Sequence, residues 1–376
     1  MKVLMIGWEF PPYFSGGLGT HTYELTRKMP KDVEIIFFMP DRGEINVPWM
    51  RIERIKASVG FGPYTTFTGS VLSNSILKSV QNYAKEVCKM ADNFDFDVIH
   101  CHDWLTVLGG VCIKRKTGKP LVFTIHSTEY DRSIGNPCPW VMDIERYGIH
   151  EADGIIAVSK RIKRQIIEKY GADPNRIRVI YNAIDASVFD CGGKIKPGEN
   201  MILYLGRLTL HKGIDHLLRA AKIVIEHYPD AKFVIAGKGD KFKDLLELTI
   251  DLGIEDNVFF LGYVPQEDIP KLYERADVFV MPSVYEPFGI TALEAMAAGT
   301  PTIISKTSGV SEVTRNVFKV DFWDTEKMAS RILEILNYKE LYEEMSNNCR
   351  NEAKQIKWED IARQTSDFYK SLINKK

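Results

Sequence analysis

The 376-residue sequence has no uninterrupted apolar run long enough to span a bilayer, which sets aside a membrane-spanning protein. It also lacks charge of one sign. Its 49 Lys and Arg against 50 Asp and Glu leave a formal net charge of −1, so nothing electrostatic argues for a nucleic-acid partner. The six cysteines (Cys88, Cys101, Cys112, Cys138, Cys191 and Cys349) are scattered, with no C-x-x-C pair. That spacing fits reduced thiols in a cytoplasmic protein, not a disulfide framework or a zinc site. The loop after the first apolar run is neither G-x-G-x-x-G nor a Walker loop with its lysine. The opening MKVLMIGWEF turns aromatic and acidic too soon for a signal peptide and reads as a first strand. Internal repeats and low-complexity tracts are also missing.

What is present is an ordinary globular composition, 45% hydrophobic and 26% charged, at a length comfortable for two domains. Short apolar runs alternate with longer helical stretches, the pattern of βαβ units and parallel sheets. Strands are predicted at 2–7, 33–39, 97–101, 121–125, 154–158 and 177–181, then at 201–205, 232–236, 258–261, 277–281 and 301–304. Helices are predicted at 20–28, 75–90, 160–170, 213–227, 241–252 and 265–275. The Gly- and Pro-rich stretch 191–199 reads as a linker between two Rossmann-like domains, 1–190 and 200–355, followed by a closing helical segment, 356–376. Arg51 to Gly69 has no clear period. It reads as a mobile or acceptor-facing loop, or equally as a decorated surface loop.

The stretch YEPFGITALEAMAAGTP, Tyr285 to Pro301, is the most informative. It follows a buried apolar strand, breaks at Pro287 and Gly289, continues as a helix from Ile290 and stops at Gly299. Glu286 falls in the strand-to-helix loop and Glu294 about one turn into a helix that is apolar all round. A buried carboxylate there needs a partner. The amides of Phe288, Gly289 and Ile290 form a helix N-terminus suited to an anionic or polyhydroxyl ligand. Arg207, after the first strand of the second half, and Lys212, before the next helix, are two cations suited to a diphosphate leaving group. Such cations can replace a divalent metal.

In the first half, the glycine-rich loop Trp8 to Thr20 leads into a helix and permits close backbone approach to a ligand. His102 and His126 end consecutive strands, where ligands of open α/β sheets bind. No third ligand stands at a recognisable spacing, so no metal is assigned. His126 and Asp103 read as groups that orient a sugar. Asp92, Asp95 and Asp97 precede a strand and carry no assigned role. The basic run Lys160, Arg161, Lys163 and Arg164 is a solvated helix face or, less commonly, a peripheral membrane face.

Together these residues resemble the retaining glycosyltransferases of the GT-B fold, family 4, over nearly the whole chain. The most specific element is the E-x7-E pair Glu286 and Glu294, supported by Gly206-Arg207 and Lys212-Gly213. Gly16–Gly19, His102–Trp104 and Thr124–Tyr130 are similar to the glycogen and starch synthase branch. The resemblance implies an α/β architecture of two Rossmann-like domains facing across a cleft, with the C-terminal helix returning to the first domain. It implies that Arg207 and Lys212 bind the diphosphate of a nucleoside-diphosphate sugar, that Glu294 takes the ribose, and that Glu286 with the amides after it holds the transferred sugar. Gly17 would lie under the phosphates, Val264 would border the nucleobase, and His126 would stand near the anomeric carbon with Asp103 on sugar hydroxyls. No cofactor is implied.

Relatives that use ADP-glucose carry a lysine where this chain has Phe14, and T-G-G-L where it has Thr307-Ser308-Gly309-Val310. UDP-glucose is therefore favoured over ADP-glucose, with other UDP- or GDP-hexoses open. The expected acceptor is a glycan such as an α-glucan. The alternatives are a family-4 transferase to a lipid or small molecule, and a sugar-nucleotide epimerase.

Overall fold

The computed structural model describes residues 1–13, 16–57, 70–190 and 198–374, with backbone alone at 70–74. Phe14, most of the irregular stretch before Gly69 and most of the expected linker lie outside the described residues. The chain divides into two compact units, one of Met1–Asn182 with Trp358–Lys376 and one of Ala183–Lys357.

The first unit runs β1 (Lys2–Ile6), α1 (Gly17–Arg27), β2 (Glu34–Pro40), β3 (Arg51–Ile55), α2 (Ser70–Met90), β4 (Val98–His102), α3 (Trp104–Thr117), β5 (Leu121–Ile125), α4 (Glu129–Arg132), α5 (Pro139–Glu151), β6 (Gly154–Ala157), α6 (Lys160–Tyr170) and β7 (Ile177–Val179). Its strands pair in the order β3-β2-β1-β4-β5-β6-β7, and every pairing is parallel. The central strands are buried on both faces, which is why they read as continuous apolar runs. Helix ends follow local chemistry. Ser159 caps α6 by accepting from the Ile162 amide, and Gly171 closes it at a φ of 70°.

The second unit contains α7 (Ala186–Phe189), β8 (Met201–Leu205), α8 (Ile214–His227), β9 (Lys232–Ala236), α9 (Phe242–Leu252), β10 (Val258–Gly262), α10 (Ile269–Arg275), β11 (Val278–Met281), α11 (Ile290–Ala298), β12 (Thr302–Ser305), β13 (Phe318–Val320), α12 (Thr325–Asn337) and α13 (Lys339–Ala353). The strand order is β10-β9-β8-β11-β12-β13, again all parallel. The final helix, α14 (Trp358–Ile373), belongs to the first unit. Phe368 and Leu372 fill the space over Gly154, where a Cβ would lie 2.6 Å from the Phe368 ring. Tyr369 Oη meets His100 Nδ1 at 2.6 Å.

Two expectations are corrected. Residues 51–55 form a strand, hidden from pattern reading because this edge strand carries charged residues on a largely exposed face. Cys88 and Cys112 are joined in a disulfide between α2 and α3, so not every cysteine is a free thiol. The pair lies on facing helices that no local spacing reveals. Cys101, Cys138 and Cys349 are free.

Two further segments acquire structural roles. Asp97 accepts from the Lys2 amide at 2.8 Å, and Asp92 pairs with Lys116. In the basic run of α6, Arg161 is bound to Asp131, and Lys163 donates to the Pro174 and Ile177 carbonyls. Arg161 and Lys163 are therefore engaged with their own unit. No helix among the described residues is long and apolar enough to cross a membrane.

Candidate active site

In open parallel sheets, ligands bind beyond the carboxyl ends of the strands, at the point where strand order reverses. Each unit has one such point. In the second unit it lies between β8 and β11, where the chain runs outward through β9 and β10 on one side and through β12 and β13 on the other. The loops leaving these strands carry Arg207, Lys212, Glu286, Phe288, Gly289 and Ile290, and Glu294 follows within α11.

These loops are stitched together by backbone. The amides of Val284 and Tyr285 both donate to the His211 carbonyl, at 2.9 and 3.2 Å. Gly213, at a φ of +64°, leaves no room for a side chain, since a Cβ would stand 2.3 Å from the Pro282 carbonyl oxygen. Lys212 and Glu286 are thereby brought into contact. Lys212 Nζ donates to Glu286 Oε2 at 2.6 Å, and Ser283 Oγ donates to the same oxygen at 3.1 Å. Both partners are largely buried. Glu286 is held from the other side as well, because its carbonyl accepts from the Gly309 amide at 3.0 Å.

No side chain caps the N-terminus of α11, whose N-cap Gly289 has a φ of 108°. A Cβ there would fall 2.8 Å from Met281 Cε, so glycine is required on two counts. Glu294, one turn further on, is buried among apolar neighbours and accepts from Tyr273 Oη at 2.9 Å. Burial pushes its carboxyl up to about 7, opposed by the Tyr273 hydrogen bond. Arg207 is half-buried in the loop after β8, where its carbonyl accepts from Tyr204 Oη at 2.8 Å.

A neighbouring zipper joins the ends of β8, β9 and β10. Leu208 N donates to the Lys238 carbonyl at 2.9 Å, and Gly237 N to the Gly262 carbonyl at 2.7 Å. Gly237 and Gly239 are packed against the backbone of Gly206 and Leu208 too closely for any Cβ. Lys238 thus joins this cluster, its ammonium 5.9 Å from the ring of exposed Tyr263, beside Val264. Sequence reading passed over Lys238. The signal was there, a Gly-Lys-Gly directly after a buried strand. Tyr273 carried no such signal, because it reaches Glu294 from another helix.

In the first unit the reversal lies between β1 and β4. Gly17 opens α1, which has no side-chain cap. Asp103 sits at a φ of 58°, and its Oδ1 accepts from the amides of His126, at 2.7 Å, and Ser127, at 3.4 Å. It therefore ties the end of β4 to the loop after β5 and sets where His126 stands. Burial pushes the Asp103 carboxyl up to about 7, against the opposing influence of Arg132.

His126 Nε2 lies 3.0 Å from His102 Nδ1, and a third histidine, His21 of α1, packs edge-on with its ring centroid 4.4 Å from that of His126. Sequence spacing did not flag His21, because it reaches the others through the fold and not through local spacing. The first residue of α14, Trp358, backs His21 at 5.4 Å. The loop carrying His126 is made rigid by Arg132, which donates to Ser127 Oγ, Glu129 and Glu145 at 2.9, 3.1 and 2.7 Å.

Comparison with known proteins accords with this geometry. Residues 15–188 match the model of Glycosyltransferase Family 4, and residues 192–352 match that of glycosyl transferases group 1. An uncharacterized glycosyltransferase of Methanocaldococcus jannaschii is 32% identical, covering 98% of both chains. Glycogen synthase of Mycobacterium tuberculosis is 29% identical over 84% of this chain and 80% of its own. Among solved structures, sucrose-phosphate synthase from Thermosynechococcus elongatus superposes with a TM-score of 0.83 at 20% identity, covering all of both chains. Anabaena HepE in complex with UDP-glucose gives 0.76 at 19% identity, over 99% of this chain and all of that one. Two Rossmann-like units of parallel sheet define the GT-B glycosyltransferase fold. The chain belongs to glycosyltransferase family 4, and its relatives place it with the glycogen-synthase-like branch.

Proposed function

We propose that the protein is a retaining hexosyltransferase that moves glucose from UDP-glucose to a glycan acceptor without a metal ion. The observation that carries the reading is the contact between Lys212 and Glu286 at the uncapped N-terminus of α11. An ammonium, a guanidinium and a helix N-terminus on the loops after adjacent strands suit a diphosphate, whose departure leaves negative charge behind. In this reading Arg207 and Lys212 stabilise that charge. Glu286 and the amides of Phe288, Gly289 and Ile290 hold the sugar.

Glu294 accepts from the ribose hydroxyls, which would supply the partners that its buried carboxylate has only in part from Tyr273. Val264 and its neighbours border the base, and Gly17 faces the phosphates. His126 is assigned to the transferred sugar by family resemblance alone. Asp103 holds the His126 amide with one oxygen and keeps the other for a sugar hydroxyl. Retention follows if the acceptor attacks from the face the diphosphate leaves, with a departing phosphate oxygen taking the acceptor's proton. The UDP-glucose bound to Anabaena HepE supports the choice of donor class. The inward engagement of Arg161 and Lys163 weighs against a membrane acceptor.

The test is an assay of UDP release from UDP-glucose with and without a malto-oligosaccharide, followed by NMR of the new anomeric proton. Acceptor-dependent UDP with an α-linked product is expected. Conversion of the donor to another UDP-hexose with no dependence on acceptor would sink the reading in favour of an epimerase.

A further inference from the structure

We propose that the protein forms a two-fold dimer in which the edge strand β10 of the second unit pairs antiparallel with β10 of a second copy. The two sheets have four edge strands. Three of them carry charge: Arg51, Glu53 and Arg54 in β3, Arg178 in β7 and Lys319 in β13. Charged side chains keep a solvent-facing edge from pairing with another chain. Val258 to Gly262 of β10 carry none. The far side of β10 has no strand partner among the described residues, so it offers a row of main-chain amides and carbonyls to an incoming strand.

The side chains around that edge are apolar on both faces of the sheet. Phe260 turns toward α9, where its ring meets that of Phe242 at 5.5 Å. Along α9, Phe242, Leu246 and Ile250 form an exposed stripe at four-residue spacing. Phe259 and Leu261 alternate with Phe260 and stand on the opposite face. These five residues are 41% to 57% exposed. At roughly 200 Å² for a large side chain they show about 450 Å² per copy, over half of the about 800 Å² per partner in a standard interface. The main chain of β10 adds to that. Antiparallel pairing about Phe260 sets Phe259 beside the partner's Leu261 on one face and lays the two α9 helices side by side on the other.

The charges on this edge complement their own two-fold image, which is why the occupant is a second copy. Lys238, Lys241 and Lys243 stand at the N-terminal end of α9 against Asp240 and Asp244. From 244 to 264 there is no lysine or arginine, and Glu247, Asp251, Glu255 and Asp256 follow along the helix and beyond its end. Asp251, Glu255 and Asp256 are exposed. Antiparallel α9 helices bring the acidic end of each to the basic end of the other.

The test does not depend on transfer. The full chain is followed by sedimentation velocity over a concentration series, and hydrogen exchange of peptides covering 257–263 is read by mass spectrometry. The expected result is a dimer that dissociates on dilution, with exchange in β10 slower in the dimer than in the monomer. Phe259→Lys and Ile250→Lys, on opposite faces of the sheet, should each weaken association by at least about 30-fold, since a two-fold interface receives every substitution twice. Val188→Lys, at an exposed position of α7, should leave association unchanged. Should one lysine variant fail to fold by circular dichroism, the other makes the same test from the other face. A monomer at every concentration, a dimer that survives the lysine variants, or a dimer without slowed exchange in β10 overturns the proposal.

Discussion

Glu294→Gln is expected to stabilise the ligand-free protein at alkaline pH while weakening its hold on a nucleotide. The Glu294 carboxyl is raised from 4.5 to about 7 by burial in α11. Between those two values the unfolded chain has released this proton and the folded chain has not. The unfolded state therefore binds fewer protons, and stability falls as pH rises from 4.5 to 7 and stays lost above. A shift of this size corresponds to about 3 kcal/mol in all. Roughly 1 kcal/mol of it accrues between pH 6 and pH 8.

Glutamine does not titrate, and its side-chain oxygen can accept the same Tyr273 hydroxyl. The stability advantage of the variant should therefore grow by about 1 kcal/mol between pH 6 and pH 8. Urea unfolding followed by circular dichroism at the two pH values measures this difference of differences, in which the unrelated pH dependence of other groups cancels. UDP affinity should fall about 10- to 100-fold, the worth of a hydrogen bond to a charged acceptor. Parallel pH profiles for the two proteins would refute the reasoning, since Glu294 would then be no more strained folded than unfolded.

Lys212→Ala and Glu286→Gln should each lower kcat by about 10²- to 10³-fold, with the chain still folded at room temperature. Unfolding of either variant at room temperature would assign the pair to structure. EDTA should leave transfer unchanged, and an absolute requirement for Mg²⁺ or Mn²⁺ would remove the cation-based account of the leaving group. Under non-reducing denaturation Cys101, Cys138 and Cys349 should react with a thiol reagent, whereas Cys88 and Cys112 should not. Cys112→Ser should cost about 3 kcal/mol, from the 24-residue separation that the disulfide closes.

Much of the parallel architecture was legible because strands buried on both faces are continuous apolar runs bounded by glycine, proline and polar caps. The second unit's cluster was legible for a related reason. Its residues sit in short loops directly after such strands, so Arg207, Lys212 and Glu286 could be placed from chain position alone, although the contact of Lys212 with Glu286 depended on the adjacency of β8 and β11. What pattern reading missed are relations between distant segments. Tyr273 reaches Glu294 from α10, His21 reaches His126 from α1, and Cys88 meets Cys112 between two helices. Asp103 shows another limit. Its sequence context marked it as important, but only coordinates reveal that Oδ1 is spent on the His126 backbone. In β3, charged residues on an edge strand hid the alternation.

The two glutamates of the E-x7-E element show how burial without full compensation points to a ligand. Glu286 has an ammonium and a hydroxyl within hydrogen-bond reach of one oxygen, so its desolvation is offset inside the protein. Glu294 has a single phenol, and its raised pKa measures what that phenol leaves uncompensated. A residue chosen for folding alone would not remain a carboxylic acid in a helix of Ala, Leu and Met, where glutamine or leucine would be less costly. Its retention is explained if a pair of ligand hydroxyls completes its hydrogen bonding, which turns the folded-state cost into affinity released on binding. Hydrogen bonding separates Glu294 from Glu145, whose carboxyl burial also raises but whose two oxygens are already occupied by Arg132, Tyr170 and the Glu129 amide.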